Sequence, residues 1–309
     1  MQRRSRRFIA VDVLLILLML LPIAAGIALK VLTMPPSEGI NITGARIFFT
    51  LPMPLQDLPI TESQINSALV MISISALCLY MTHGLKVKAD TKRQLVAEWI
   101  VEKVDNMILS NMGEYFMGFA PFIAAMIALS AFSSLLSLFG LYPPTSDLNV
   151  VAGWAILVFL LITFYKMKCG PWRYLKSFTE PVPLLTPMNV ISEVATPVSM
   201  SFRHYGNVLS GTVISALIAT GLQGLSAIIL GWLPGALGEI PFLQVGLPAV
   251  LSVYFDVFSG CLQAYIFAML TMLYVSSAFP ADLYFERKKK AQNKRSDKNK
   301  NTNNTTEVN

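Results

Sequence analysis

The sequence is poor in charge and in cysteine. Only 14% of its 309 residues are charged and 54% are hydrophobic, whereas soluble globular domains average about 25% charged residues. This deficit excludes an ordinary soluble enzyme. The three cysteines, Cys78, Cys169 and Cys261, have no metal-like spacing, and their odd number excludes a complete set of internal disulfides. We expect them to be small apolar core residues.

Several signatures of catalytic and binding sites are also missing. The sequence contains no G-x-x-x-x-G-K-[ST] phosphate loop, no H-E-x-x-H and no G-x-S-x-G. We therefore predict no catalytic site in the chain by itself and no cofactor. The net charge of +6 comes from basic residues at the two chain ends, which argues against a nucleic-acid partner.

Long apolar runs are abundant. A helix needs about 20 mostly apolar residues to cross the hydrocarbon core of a bilayer. Four charge-free runs meet or approach this length, namely residues 13–29, 63–85, 119–141 and 149–165. Residues 177–285 contain no lysine and a single arginine, and glycines and prolines within 232–241 divide them into two long helices, about 184–231 and about 244–279. The sequence predicts an all-α integral membrane protein with about six membrane helices.

The positions of lysine and arginine predict the orientation in the bilayer. If the N-terminus is cytoplasmic, 21 of the 24 basic residues fall in cytoplasmic segments, which are residues 1–7, 86–117, 166–183 and 284–309. Only Lys30 and Arg46 are then external, and Arg203 lies within the membrane. The positive-inside rule favours this arrangement. We therefore predict that both termini are cytoplasmic.

Three segments lie outside the predicted membrane helices. Residues 34–62 are proline-rich and are expected to be external. Residues 90–116 have apolar side chains at helical spacing, so they form either an amphipathic helix along the cytoplasmic interface or a plain connecting helix. The tail 284–309 is basic and almost free of apolar residues, which is typical of a disordered segment. The first helix, within residues 1–33, has an alternative interpretation as a signal peptide.

The few polar groups within the long helices are candidates for function. An arginine at a helix centre costs about 2.5–3.5 kcal/mol on insertion scales, so Arg203 needs a partner or a task. Ser199 and Asn207 share its helix face and Gly206 lies alongside, where another helix could approach closely. Either Arg203 simply pairs with Asp256 or Glu193, or these groups belong to an ion pathway.

The last helix carries a second polar stripe. Asp256, Ser259 and Gln263 lie near one face, and a carboxylate inside a membrane is by default a candidate for an ion or proton pathway. The two histidines are interpreted more simply. His83 is expected to be solvated at the interface, and His204 to point away from the face of Arg203, with a pH-sensing role as an open alternative.

Two segments of these long helices resemble a known family. PVSMSFRHYGNVLSG (197–211) and YFDVFSGCLQAYIFAMLTMLYVS (254–276) resemble the two signature helices of subunit a of the F-type ATP synthase membrane sector. Further ordered motifs at 58–70, 139–149 and 187–199 are similar to that family too. The resemblance covers about residues 58–279. It implies an ion-translocating stator subunit whose last two helices are long and tilted against a rotating ring of c subunits.

The resemblance also implies roles for individual residues. Arg203 matches the essential arginine, Asn207 its polar neighbour and Gln263 the glutamine that faces it. Asp256 falls in the external half-channel of the family and Glu193 toward the cytoplasmic one. Together with the shared helix faces, this leads us to predict the following ion-translocation residues: Arg203, Asn207, Asp256, Gln263, Glu193 and Ser199. Thr212, Ser259 and Gly206 are predicted to be supporting residues. Thr212 stands where many members have glutamate, so Asp256 is expected to carry the titratable role there. His204 replaces the usual leucine.

The resemblance sets the expected organisation and surroundings of the chain. Residues 1–33 would be an extra N-terminal membrane helix, 34–62 an external segment, 63–283 the ion-translocating domain and 284–309 a cytoplasmic tail. The expected partners are the c-subunit ring, b-type peripheral stalk subunits, other ATP synthase subunits and the lipid bilayer of a prokaryotic cell membrane. The transported ion would be H⁺ or Na⁺. A secondary cation transporter is the alternative function, but it predicts an internal repeat that the sequence lacks.

Overall fold

A computed structural model describes residues 6–33, 44–54, 57–87, 91–168, 170–179, 182–230 and 253–279, together with 246, 247, 250, 251, 285 and 289. Its helices are α1 (Arg6–Thr33), α2 (Glu62–Thr82), α3 (Lys92–Met112), α4 (Ala120–Leu135), α5 (Leu148–Lys168), α6 (Pro171–Ser177), α7 (Thr186–Leu230) and α8 (Gly260–Ala278). Short 3₁₀ turns (Glu114–Phe119, Leu136–Phe139, Pro144–Ser146, Pro183–Leu185) and a π-helical segment (Val253–Ser259) adjoin them. Within these described ranges, six helices are long and apolar enough to span a membrane, which confirms the predicted number.

The predicted external segment contains a small β-hairpin. Strands β1 (Ile47–Leu51) and β2 (Leu58–Thr61) pair antiparallel, with Thr50 opposite Pro59. Their composition did not suggest strands because prolines interrupt it, yet a two-stranded sheet has only edge strands, where proline is tolerated. The hairpin leads directly into α2. At this junction Gln64 Oε1 of α2 accepts a hydrogen bond from the Thr61 N–H at 3.3 Å.

The two ends of the helix bundle differ in charge. We call the end at which α2 and α5 finish the basic end, because Lys86, Lys92, Lys166, Lys168 and Lys176 lie there. The end at which α2 and α5 begin is the opposite end. The main core lies toward the basic end and combines side chains of five helices and an intervening turn, including Ile108, Met112, Phe116, Ile123, Val158, Ile162, Met200, Phe267, Met272 and Phe279.

Close helix approach occurs at two glycines. A Cβ atom on Gly260 would lie 2.5 Å from Ser134 Cβ, and one on Gly211 would lie 3.2 Å from Phe255. Only a residue without a side chain fits at Gly260, where α8 meets α4. At Gly206, where the sequence predicted such an approach, an added Cβ would meet no atom of another described helix within 4 Å. That side of α7 is therefore uncovered by the described part of the chain.

Several expectations need correction. Cys78 and Cys261 are exposed rather than buried in a core, because a membrane protein can turn small apolar residues outward to lipid. Cys169, the break at 232–241, residues 1–5 and most of the tail lie outside the described residues. The last helix is not a uniform α-helix from about 244, since Val253–Ser259 is π-helical before α8 begins. His83 is not simply solvated, because its Nδ1 lies 3.0 Å from Asp12 Oδ1.

The predicted amphipathic helix is α3, and only its second half belongs to the core. Ile108 and Met112 are buried, whereas Leu95 and Trp99 are exposed by 54% and 59%. The apolar face of α3 therefore extends beyond the protein core. Its placement along a membrane interface stays a prediction that these exposed side chains favour.

Candidate functional site

Arg203 lies on an uncovered face of α7. Its side chain is exposed, as are those of Ser199 and Phe202 on the same stretch of helix. Among the described residues, none forms a hydrogen bond or an ion pair with the Arg203 side chain. The simpler alternative, in which Arg203 pairs with Asp256 or Glu193, is therefore wrong for the described chain, and both acids have other neighbours.

Asp256 lines a narrow crevice. The π-helical segment places this half-buried carboxyl beside α7, and Asn207 Nδ2 donates a hydrogen bond to Ser259 Oγ at 2.9 Å. The helices α4 and α7 and the turn before α5 complete the wall, with Ser134, Ser137, Pro143, Val208 and Gly211. The structure thus brings together three residues that the sequence had singled out, Asp256, Asn207 and Ser259.

Glu193 lies in a second crevice toward the basic end. Lys166 Nζ donates to both of its carboxylate oxygens at 2.7 Å, so the acid is held by α5. The crevice is also lined by Thr196, Tyr274 and Ser277. Tyr174 lies beside the pair, and its pKa is raised by burial of the phenol and by the neighbouring Glu193 carboxylate.

The two crevices flank Arg203 along α7. Glu193 precedes Arg203 by ten residues and Asn207 follows it by four, which at 1.5 Å per residue corresponds to about 15 Å and about 6 Å along the helix axis. The exposed cation therefore stands between a polar crevice nearer the basic end and another nearer the opposite end.

The remaining predicted site residues are more scattered. Gln263 is 4% exposed and sits inside the protein on α8. Thr212 is exposed, and its hydroxyl donates to the Leu209 carbonyl of its own helix at 2.8 Å. It does not belong to the residues that line the Asp256 crevice. Within the described chain, neither Ser199 nor Gln263 forms a hydrogen bond with Arg203. Neither residue therefore holds the arginine directly.

His204 is fully buried and packs at the junction of three helices. Its Nε2 lies 3.4 Å from Ser130 Oγ, and the rings of Trp154 and Phe267 meet it edge-on at 6.1 and 5.6 Å. Its Nδ1 has no hydrogen-bond partner among the described atoms. An unsatisfied buried nitrogen is costly, so hydrogen bonding does not explain why the imidazole is buried here. The ring instead contributes by packing against Trp154 and Phe267, which holds the turn of α7 next to Arg203.

Replacing His204 by leucine is expected to preserve ion movement through the protein to within about threefold. Leucine fills a similar volume and removes an unpaired nitrogen, so the net cost should be small. The measurement is ion movement across membrane vesicles, normalised to the amount of folded protein. His204→Lys is the matched control, and it should prevent folding because its charge would be buried without a partner. A loss of ion movement in well-folded His204→Leu protein would instead place His204 on an ion path.

Sequence reasoning missed several residues of these crevices. Lys166 was assigned only to a basic cytoplasmic segment, although it holds Glu193. Ser134 of α4 and Ser137 of the following 3₁₀ turn were not predicted as site residues. Lys166 and Glu193 are 27 positions apart, so no helical spacing connects them. Only the position of Lys166 in the last turn of an apolar helix could have suggested that it faces a membrane carboxylate.

Comparison with known proteins decides between the functions that such a site allows. Residues 65–276 match the family described as ATP synthase A chain. The chain belongs to this family. ATP synthase subunit a of Legionella pneumophila (strain Philadelphia 1) is 29% identical over 226 residues, covering 72% of this chain and 89% of the relative. The protein of the same name from Bacillus pumilus is 31% identical over 227 residues, covering 68% and 90%.

Membership in the ATP synthase A chain family identifies the role of the chain. It is a membrane subunit of an F-type ATP synthase of a prokaryote, it acts in ion translocation as part of the stator, and it has no catalytic site of its own. The alternative of a secondary cation transporter has no support among these relatives. The match begins at residue 65, so α1 and the hairpin lie outside it.

Proposed function

We propose that Arg203 is the cation that meets the ion-binding carboxylates of a c-subunit ring. The observation that carries this proposal is an exposed arginine, unpaired among the described residues, in the middle of a membrane helix. Such a group is expensive in lipid and needs a partner outside the described chain. The surrounding face of α7 supports this assignment, because Val198, Phe202 and Ile214 are also exposed there.

The proposed step follows from electrostatics. A ring carboxylate that faces lipid is neutral, because an isolated charge in hydrocarbon is prohibitive. Beside Arg203 its ionised form becomes favourable, since opposite charges about 4 Å apart attract by about 4 kcal/mol at an effective dielectric constant near 20. This amounts to about three pKa units, which is enough to release the bound ion. Arg203 also repels a cation that would cross directly from one crevice to the other.

The two crevices are proposed to be the half-channels. Asp256, Asn207 and Ser259 would exchange the ion, H⁺ or Na⁺, with the opposite side, and Glu193 with Lys166 would border the path to the basic side. Their separation along α7 supports this division, because the ion must travel with the ring to pass from one to the other. Gln263 and Ser199 are proposed as further residues of ion translocation, and Thr212, Ser259 and Gly206 as supporting residues of the pathway.

The proposed orientation places the basic end in the cytoplasm, with both termini on that side. The asymmetry of lysine and arginine supports it. The proposed domains are the extra helix within 1–33, the external segment 34–62, the translocation domain 63–283 and the cytoplasmic tail 284–309. Besides the c ring, b-type peripheral stalk subunits are proposed as neighbours in the bilayer.

Disulfide cross-linking tests the contact with the ring. In a chain with Cys78, Cys169 and Cys261 replaced by serine, Ser199→Cys should cross-link to a cysteine placed beside the ion-binding carboxylate of the c subunit. Leu14 on α1 is 61% exposed, so Leu14→Cys is the control for random contact in the bilayer and should not cross-link. Cross-linking of Leu14→Cys with none at Ser199→Cys would show that the ring lies on another face.

A further inference from the structure

The helix α1 is built into the protein although the family match begins only after it. It runs antiparallel to α2, and contacts join it to the rest of the chain at the basic end, at mid-height and at the opposite end. A helix with an apolar surface has no hydrophobic reason to pack in lipid, so polar contacts and close packing must hold it. These contacts indicate what α1 does.

The contacts at the basic end are ionic. Asp12 Oδ1 accepts a hydrogen bond from Arg93 Nη1 of α3 at 3.0 Å and lies 3.0 Å from His83 Nδ1 at the end of α2. The side chains of Asp12 and Arg93 are each 13% exposed. Arg93 also donates to the His83 carbonyl oxygen. One carboxylate of α1 thereby joins the end of α2 to the start of α3.

An aromatic contact also joins α1 to the end of α2 at the basic end. The Phe8 ring stacks on His83 with centroids 4.3 Å apart. The next residue, Gly84, has φ of +76°, and a Cβ there would lie 2.5 Å from the Phe8 ring. Glycine is needed at this position both for its backbone conformation and because Phe8 occupies the space of a side chain. The loop after α2 is therefore shaped to receive α1.

Further contacts hold α1 against its neighbours along its whole length. Ser73 Oγ of α2 donates to the Met19 carbonyl oxygen at 3.0 Å, and a Cβ on Gly26 would lie 3.0 Å from Leu69 Cδ1. Near the opposite end, Lys30 Nζ donates to the carbonyl oxygen of Gly140 in the turn before α5. This turn also contributes Pro143 to the wall of the Asp256 crevice.

We propose that α1 is an internal brace which ties the α2–α3 loop at the basic end to the turn before α5 at the opposite end, with Asp12 as its principal positioning residue. The brace stabilises the part of the subunit that must stay still while the ring moves. It touches neither Arg203 nor Glu193, so it supports assembly without taking part in ion transfer. The proposal goes beyond the function proposed above.

The test uses the full chain in the assembled ATP synthase. Asp12→Ala and Arg93→Ala should each shorten the half-life of the detergent-solubilised complex by about tenfold or more. Asp12→Ala removes the carboxylate that Arg93 meets, and Arg93→Ala removes the guanidinium that donates to Asp12. The double variant should recover part of this loss, since both charges are then gone. Asp12→Asn, which retains an acceptor for Arg93, should be milder. Glu102→Ala on the exposed face of α3 is the control and should behave as wild type.

Two readouts separate the brace from other roles. Coupled ATP synthesis per assembled complex should stay within about twofold of wild type in Asp12→Asn, whereas failure of the proposed function would be seen in Arg203 variants alone. The mass of the chain in the purified complex should include α1. The proposal is overturned if Asp12→Ala is as stable as Glu102→Ala, if the double variant is no better than the worse single variant, or if the mature chain lacks α1.

Discussion

Replacing Arg203 by glutamine is expected to reduce ion-coupled ATP synthesis by at least about a hundredfold while the complex still assembles. Loss of the cation removes the attraction of about 4 kcal/mol that favours an ionised ring carboxylate, and each 1.36 kcal/mol corresponds to a factor of ten. Assembly should survive because the Arg203 side chain is exposed and forms no hydrogen bond or ion pair among the described residues. Synthesis in membrane vesicles under an imposed ion gradient measures the effect, with immunoblotting for the assembled subunit.

Two further variants show whether the charge or its geometry matters. Arg203→Lys keeps a cation but loses the rigid planar fork of the guanidinium, so it should retain little activity. Leu217→Ala changes an exposed residue of the same helix that lines neither crevice, and it should be close to wild type. Coupled synthesis in Arg203→Gln at the level of Leu217→Ala would refute the proposed mechanism, and loss of assembly in Arg203→Gln would reveal a structural partner for the arginine.

The helices could be predicted from the sequence because the bilayer imposes their length. The spans of α2, α4 and α5 follow from charge-free runs, and the long helix α7 ends within a residue or two of its predicted limits even though it contains Pro197. Helices in lipid must satisfy their backbone hydrogen bonds internally, so a sufficiently long apolar run has few alternatives.

Which face of each helix is buried could not be predicted in the same way. In a soluble protein an apolar side chain points inward, but in a bilayer it can point to lipid. The expectation that Cys78 and Cys261 are buried core residues was therefore wrong. Contacts between distant segments were equally hidden. Asn207 and Ser259 are 52 residues apart, and Asp12 and His83 are 71 apart. Spacing identified candidate polar residues, while the packing of the helices decided which of them meet.

The sequence supplied the candidate residues of one crevice but not their meeting, and it supplied only part of the other. Asp256 and Ser259 share a helix stripe, but their approach to Asn207 depends on how α7 packs against the π-helical segment. The resemblance placed Glu193 toward the cytoplasmic half-channel without indicating a partner, whereas Lys166 holds it with two hydrogen bonds of 2.7 Å. The crevice nearer the basic end is therefore lined by an ion pair, in contrast to the single carboxyl of Asp256 in the other crevice.

Replacing Asp256 by asparagine is expected to slow ATP synthesis by about tenfold or more, with the largest defect when the ion is scarce on the opposite side. The carboxyl is the one acidic side chain among the residues that line its crevice, so asparagine removes the group that can take up and pass on a cation. Asparagine has the same shape and leaves the Asn207–Ser259 hydrogen bond in place. The measurement is the rate of synthesis as a function of ion concentration on the opposite side.

The controls for this variant separate ion uptake from packing. Asp256→Glu restores a carboxyl and should recover most of the rate, whereas Ser259→Ala, which only removes the partner of Asn207, should cost less than Asp256→Asn. Asp147→Asn changes an acid at the same end of the bundle, outside the crevice, and should leave the ion dependence unchanged. If Asp256→Asn behaves like Asp147→Asn, ions reach Arg203 by another route, and the crevice is only a packing defect between α4 and α7.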